Sequence, residues 1–330
     1  MVQRCLVVAI GMLLALVPSR AFAWNSVGHK TVAMIAYKEL SPSVRKKAID
    51  LLRKHPELWA DLTKDMPADV RDPDIYVFTK AATFPDMAKS PHDPFHATQG
   101  NFKCKKKHYI NLPVGSDTDL EALRPPVPGM EGGDVDNVVK ALNQCVADLR
   151  SSEKSTKDKA IQLCWLMHLV GDIHQPLHCA EWYSEQFPRG DGGGGMLLVR
   201  PGRGHGHVSL HSIWDDLLGE DKHATLRTIE INVRIIQGPS HLRRDTFADE
   251  LRQKEFKGWA LDSKDKAWEF AYRKGDIQGT SQHDFAHDHQ LPIPELPPRY
   301  EEECRAVARS QVALAGYRLA DQINALLGGE

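Results

Sequence analysis

Between Ile161 and Ile173 the chain is almost unbrokenly apolar, with Ile161, Leu163, Trp165, Leu166, Met167, Leu169 and Val170, yet it carries His168 and Asp172. Such a stretch predicts a helix apolar on most sides, which belongs at the centre of a domain. His168 and Asp172 are four residues apart, so both project from one face about a turn apart. A carboxylate buried there needs a cation, and the apolar helix offers none of its own. Pro176 ends the helix, and His178 can fold back beside it. A second pair at the same spacing follows, His211 and Asp215. Either pair alone is accounted for by a His–Asp hydrogen bond. Both pairs together with His178 point to metal. Imidazole and carboxylate ligands, with no competing thiolate cluster, favour zinc.

The surroundings are helical as well. Val32, Ile35, Ala36 and Leu40 predict a helix over Val27–Leu40. Ser43 is expected to cap a second helix running through Arg53. Further helices are expected at Val138–Leu149, Ile161–Ile173 and Arg299–Leu327. Met196–Val199, after the Gly192–Gly195 run, predicts one strand of a surface hairpin. Gly115–Gly133 reads as a loop, and the Pro-rich stretch Thr280–Pro298 as an extended surface crossing. No internal repeat and no interdomain linker is present. The expected fold is all-α (mainly α): one helical domain over residues 24–330, with a small β-hairpin and long surface loops.

Residues 1–23 have the pattern of a secretory signal peptide: Arg4, an apolar run from Cys5 to Val17, and Ala21-Phe22-Ala23. The run is too short to cross a bilayer, which takes about 20 residues. Export to the periplasm or the medium is expected, with no membrane anchor after cleavage and Trp24 as the new first residue. Cys104, Cys145, Cys164, Cys179 and Cys304 would remain. An oxidising compartment permits up to two disulfides among these five, in a pairing the sequence does not give. The 42 basic and 44 acidic residues leave a formal charge of −2, which excludes bulk attraction to nucleic acid or anionic membrane. An anionic substrate would need a local attractor, and metal gathered by some of the 16 histidines can serve.

The chain resembles the single-strand-specific zinc nucleases (the S-one/P-one type), whose sister group is the zinc-dependent phospholipases C. The resemblance rests on Trp24, Gly28-His29, Phe84-Pro85-Asp86, His108-Tyr109, the His168–His178 block, Leu210-His211-Ser-Ile-Trp-Asp215 and Leu314-Ala-Gly-Tyr-Arg-Leu-Ala320. The stretch between His178 and His211 is longer than usual for the family. The resemblance implies an all-α fold with three Zn2+ ions. One would take Asp86, His108, His168 and Asp172; a second, His178, His211 and Asp215. The third would take His29, Asp172 as a bridge, and the free amine and carbonyl of Trp24. A liberated α-amine, with a pKa of roughly 7.7–8.0, can lose its proton and ligate where an amide nitrogen cannot.

What this implies is an enzyme, a zinc-dependent hydrolase of phosphodiester bonds in single-stranded DNA and RNA. Its products would be 5′-phosphates, and a 3′-nucleotidase activity is allowed. Asp86 would also orient the attacking water. Lys89 stands where the family often has an Arg on phosphate, a point charge in place of a fork. Tyr109 would stack on a base, and Asn111 replaces an acidic residue that reads the base edge, which leaves base preference open. Lys103, Lys105, Lys106 and Lys107 form a basic run before His108. His205, His207, His283, His287 and His289 read as surface histidines, and His174 as a neighbour of the ligand block. No protein partner is implied, and a monomer is expected. The alternatives are a zinc-dependent phospholipase C, against which Asp215 stands where those enzymes have Glu, and a zinc-binding protein without catalysis.

Overall fold

Asn25 opens the first helix by accepting from the Val27 and Gly28 amides at 3.0 and 3.3 Å, which satisfies two orphan donors of the first turn. The computed structural model describes residues 24–55, 62–64, 66–87, 105–130, 136–202, 206–238 and 242–329. Residues 1–23, Lys89, Lys103, Cys104 and His205 lie outside them.

The elements in chain order are α1 (Ser26–Glu39), α2 (Pro42–Leu52), α3 (Pro73–Ala81), α4 (Phe84–Met87), β1 (Leu112–Val114), α5 (Asp117–Leu123), α6 (Val138–Arg150), α7 (Thr156–Asp172), β2 (Ala180–Trp182), β3 (Leu197–Val199), β4 (Val208–Ser209), α8 (Leu210–Asp215), α9 (Leu226–Gln237), α10 (Phe256–Lys266), β5 (Thr280–Ser281), α11 (Gln282–His287) and α12 (Tyr300–Leu327). The fold is mainly α. Alpha-helix caps recur in one chemistry: Ser116, Ser155, Ser209, Thr225 and Ser281 each accept from a backbone amide three residues on.

The centre is a stack of α1, α7 and α12. In α7 every residue from Leu163 to Asp172 is buried, so this helix has no wet face along its second half. Gly316 of α12 lets α1 approach closely: a Cβ there would lie 2.5 Å from Ile35 Cγ2 and 3.2 Å from the Val32 carbonyl oxygen. The amphipathic α6 covers α7 from one side and α2 and α3 close the other.

Several boundaries differ from expectation for local reasons. Ser41, not Ser43, caps α2, because Pro42 occupies the first helical turn and needs no donor partner. Helix α7 begins at Thr156, five residues before its apolar run, since Ser155 caps an exposed polar first turn. The Gly115–Gly133 stretch contains the surface helix α5. Strand β3 forms the expected hairpin with the next strand, β4, but the sheet does not end there. Strand β3 is the centre of a three-stranded antiparallel sheet, with β4 on one edge and β5, from the Pro-rich segment, on the other. That segment also carries the short α11 before it runs extended, with Glu295 bridging Arg200.

The second sheet pairs β1 with β2 in parallel, Leu112 opposite Ala180 and Val114 opposite Trp182. Each strand follows directly on a histidine, His108 and His178, so the ladder sets these two side by side. The Ile110 amide donates to the His178 carbonyl at 2.8 Å.

Gly316→Ala is expected to destabilise the protein by about 1–3 kcal/mol through overpacking of α1 on α12. Thermal or urea unfolding of the two chains measures it; an unchanged midpoint would show that Ile35 yields freely.

Candidate metal centre

Helix α7 delivers His168 and Asp172 to the floor of a buried cleft, both wholly inaccessible. His168 donates Nδ1–H to the Ala82 carbonyl at 2.8 Å, and Ala82 terminates α3. His29 comes from the first turn of α1 and stacks on His168, with ring centroids 3.9 Å apart. It fits against α7 because residue 171 is glycine; a Cβ there would lie 2.7 Å from His29 Nδ1. His108 ends the 3-10 turn Lys105–His108. Its Nδ1 stands 2.8 Å from Asp172 Oδ2 and 3.0 Å from His168 Nε2. Asp86, on α4, reaches His168 Nε2 at 3.5 Å and His29 Nε2 at 4.0 Å.

The other side of the cleft is built by the turn Pro176–His178 and by α8. His178 donates Nδ1–H to the His108 carbonyl at 2.7 Å. His211 donates Nδ1–H to the Gly193 carbonyl at 2.6 Å, and its Nε2 is 3.5 Å from Asp215 Oδ2. Gln175, buried between the two blocks, donates to Asp215 Oδ1 at 2.8 Å and accepts from the Leu177 amide at 2.6 Å.

Three adjoining groups result, each with ligand atoms within 4.8 Å of one another: His29, His168 and Asp172; Asp86, His108 and His168; His178, His211 and Asp215. Two observations fit them to divalent metal. His168, His178 and His211 each spend Nδ1–H on a main-chain carbonyl, which fixes the tautomer and makes Nε2 the ligating atom, the usual outer-shell arrangement of metal-bound histidine. Both ring nitrogens of His29 and Asp172 Oδ1 are buried with no hydrogen-bond partner, a costly state unless a cation collects them.

The electrostatics agree. Burial, then the neighbouring His168, lowers the affinity of His29 for a proton, which keeps it a neutral ligand. Burial alone would raise the Asp172 carboxyl, but His168 and His108 outweigh it and hold the group well below the usual range. Burial pushes the Asp215 carboxyl well up, with Asp216, Asp86 and Asp172 adding to the rise. An anionic pair so placed needs positive charge to remain ionised.

Other expected residues are placed as follows. Trp24 is wholly buried, and the next amide, Asn25, donates to the Asp215 carbonyl at 3.5 Å. Tyr109 is 37% exposed beside His108 and is no core aromatic. Glu181, which accepts from the Tyr183 hydroxyl at 3.2 Å and whose carboxyl burial raises, was not a sequence candidate. Lys89 lies outside the described residues. Lys107 sits 5.7 Å over the Trp165 ring. His207 and His289 flank Phe285, and His283 stacks on His287, all away from the three groups. His174 is wholly buried, donating to the Val170 carbonyl and accepting from Arg318 at 2.9 Å. Cys145, Cys164, Cys179 and Cys304 are buried free thiols. The expected disulfides are therefore not found among the described cysteines, which pack as small apolar side chains on separate elements. Gln175, which braces Asp215, was missed; a Gln set between two ligands, before Pro176, was the available signal.

A mainly helical domain built round three adjoining His/Asp groups is the architecture of a metal-dependent hydrolase. The chain belongs to the S1/P1 nuclease family, whose model, described as S1/P1 Nuclease, matches residues 24–328. It is a nuclease, a hydrolase of phosphodiester bonds. It is 22% identical to Nuclease PA3 of a Penicillium species over 320 residues, 93% of this chain and 99% of that protein. Nuclease P1 of Penicillium citrinum matches over the same shares at 22% identity. Nuclease S1 of Aspergillus oryzae is 22% identical over 310 residues, 91% of this chain and 90% of its own.

Asp172→Asn is expected to lower bound metal by more than one atom per chain and activity by more than about 100-fold, beyond what loss of an outer-shell partner costs. Elemental analysis of gel-filtered protein measures the first. Full metal content in the variant would remove Asp172 from the centre.

Proposed function

We propose that the chain is an exported, zinc-dependent endonuclease acting on single-stranded DNA and RNA, with residues 24–330 as one catalytic domain. The observation that carries this is the set of three adjoining groups around Asp172. Three zinc ions would be held: by Asp86, His108, His168 and Asp172; by His178, His211 and Asp215; and by His29, Asp172 and the amine and carbonyl of Trp24 once the segment ending at Ala23 is removed. Such ions supply Lewis acidity toward phosphate oxygens and a water whose pKa falls to about 7.

The chain's own groups do the rest. Asp86 keeps 15% of its side chain exposed. Of the clustered carboxylates it is the one at the rim, placed to hold attacking water in line and to take its proton. Attack at phosphorus breaks the bond to the 3′ oxygen, which leaves as a hydroxyl after taking a proton, and the phosphate stays on the 5′ side. The same chemistry on a terminal 3′-phosphate gives 3′-nucleotidase activity. Tyr109 offers an exposed face for one base, worth about 1–3 kcal/mol, and a paired base has no such face to give. Asn111 presents the polar edge beside it. The Lys105–Lys107 turn before His108 adds positive charge there, and by the resemblance Lys89 would neutralise phosphate. The protein would act as a monomer.

Zymography on denatured DNA, run beside an assay of phosphocholine release, separates this reading from a phospholipase C. DNA degradation without lipid cleavage is expected; lipid cleavage alone would overturn it, and a zinc-loaded protein inert on both would favour the non-catalytic alternative. A chain with one extra Met before Trp24 is expected to bind one zinc fewer. Tyr109→Ala is expected to raise KM for a short single strand roughly ten-fold, with kcat little changed; a fall in kcat alone would place Tyr109 elsewhere in the reaction.

A further inference from the structure

The glycine turn before β3 contains a buried acid that the chemistry above does not use. Asp191 is wholly inaccessible. Its Oδ1 accepts from the Trp182 amide at 2.9 Å and the Tyr272 hydroxyl at 3.1 Å, and its Oδ2 from the Gly194 amide at 2.8 Å. Three neutral donors hold it, the nearby Glu181 carboxyl adds to the cost of its charge, and no described Lys, Arg or His forms an ion pair with it.

We propose that Asp191 is a positioning residue for His211, acting through a single peptide group: its carboxylate holds the N–H of Gly194, and the carbonyl at the other end of that peptide unit, on Gly193, accepts the Nδ1–H of His211 at 2.6 Å. A trans peptide directs its N–H and C=O to opposite sides, so the three groups form one chain of hydrogen bonds. A negative charge at one end polarises the peptide and strengthens the acceptor at the other. Metal-bound histidines commonly donate their second nitrogen to a carboxylate or to a backbone carbonyl. Here the two partners stand in series. The inference rests on the reading that His178, His211 and Asp215 hold metal.

The turn is shaped for this task alone. Gly190, Gly192, Gly193 and Gly194 all have positive φ, which side chains other than glycine seldom adopt. A Cβ on Gly193 would lie 2.4 Å from the Leu177 carbonyl oxygen, so the turn is pressed against the segment that carries His178. Gly194 also accepts from the His211 amide at 3.2 Å. Tyr272 reaches Asp191 because a π-helical turn, Ala267–Ala271, precedes it; single π-turns of this kind cluster at functional sites. Burial pushes the Asp191 carboxyl up to about 7. The fold therefore bears a cost for an ionised group here, where three donors on two oxygens demand a side chain that only accepts. Asparagine has the same shape, but one of its two positions donates.

The test compares the wild-type enzyme with Asp191→Asn and Tyr272→Phe, using zinc per chain under chelator competition, nitrogen-15 NMR of the imidazoles, and unfolding of the metal-free proteins. In the wild type, His211 is expected to carry its proton on Nδ1. In Asp191→Asn, one zinc of three is expected to bind about 10–100-fold more weakly and the His211 Nδ1–H resonance to move upfield, in a chain that still folds without metal, with a lowered midpoint from the donor left facing a donor. Tyr272→Phe keeps the carboxylate and its bond to Gly194 and is expected to hold all three ions with that resonance unmoved. Three ions at wild-type affinity in Asp191→Asn, or the same loss in Tyr272→Phe, would overturn the relay. If Asp191→Asn does not fold, the wild-type spectrum and Tyr272→Phe decide, and a His211 proton found on Nε2 overturns it. A wild type that binds no metal at His178, His211 and Asp215 refutes the metal reading instead, and the tautomer then judges the relay alone.

Discussion

The carboxylate of Asp172 sits at the end of α7, whose second half is wholly buried, fully removed from water. Isolated, such a charge costs several kcal/mol even after the protein relaxes. Everything around it reads as a response. His108 and His168 approach its Oδ2, His29 approaches Oδ1 at 3.3 Å, and the elements bearing these rings come from far apart in the chain. Two of the three groups share His168, one of these holds Asp172, and the third adjoins them through His178, whose Nδ1 stands 4.0 Å from Asp172 Oδ1.

The histidines are held from behind by main chain rather than by other side chains. Ala82, His108 and Gly193 each lend a carbonyl to one imidazole. Main-chain positions move only when an element moves, so the ligating nitrogens are fixed by the packing of α3, the β1–β2 ladder and the glycine turn. The hydrophobic core and the polar centre are thus one construction, and a packing defect at a helix contact is transmitted to ring orientation.

Part of this was legible in the sequence. The pairs His168 with Asp172 and His211 with Asp215 declare themselves through helical spacing, and the long helices through apolar periodicity. Asp86, His108 and His29 have no such local signature; they lie in a short turn, a 3-10 turn and a first helical turn, and they entered through resemblance to a family. Asp191, Gln175 and Glu181 escaped because they act on backbone groups and neighbouring polar side chains, which leaves no spacing to read. Strand β5 escaped because two residues cannot show a period, and its pairing is long-range. Ser41 rather than Ser43 caps α2, because Pro42 in the first turn marks the residue before it as the cap.

The contact of α1 with α12 through Gly316 joins the first described helix to the last. His29 rides on α1, so the cleft cannot close until the end of the chain has been made and has docked. During synthesis the chain therefore carries an unfinished centre. A nuclease whose parts meet only when its first and last helices meet stays incomplete until the last helix is in place, by virtue of chain order alone.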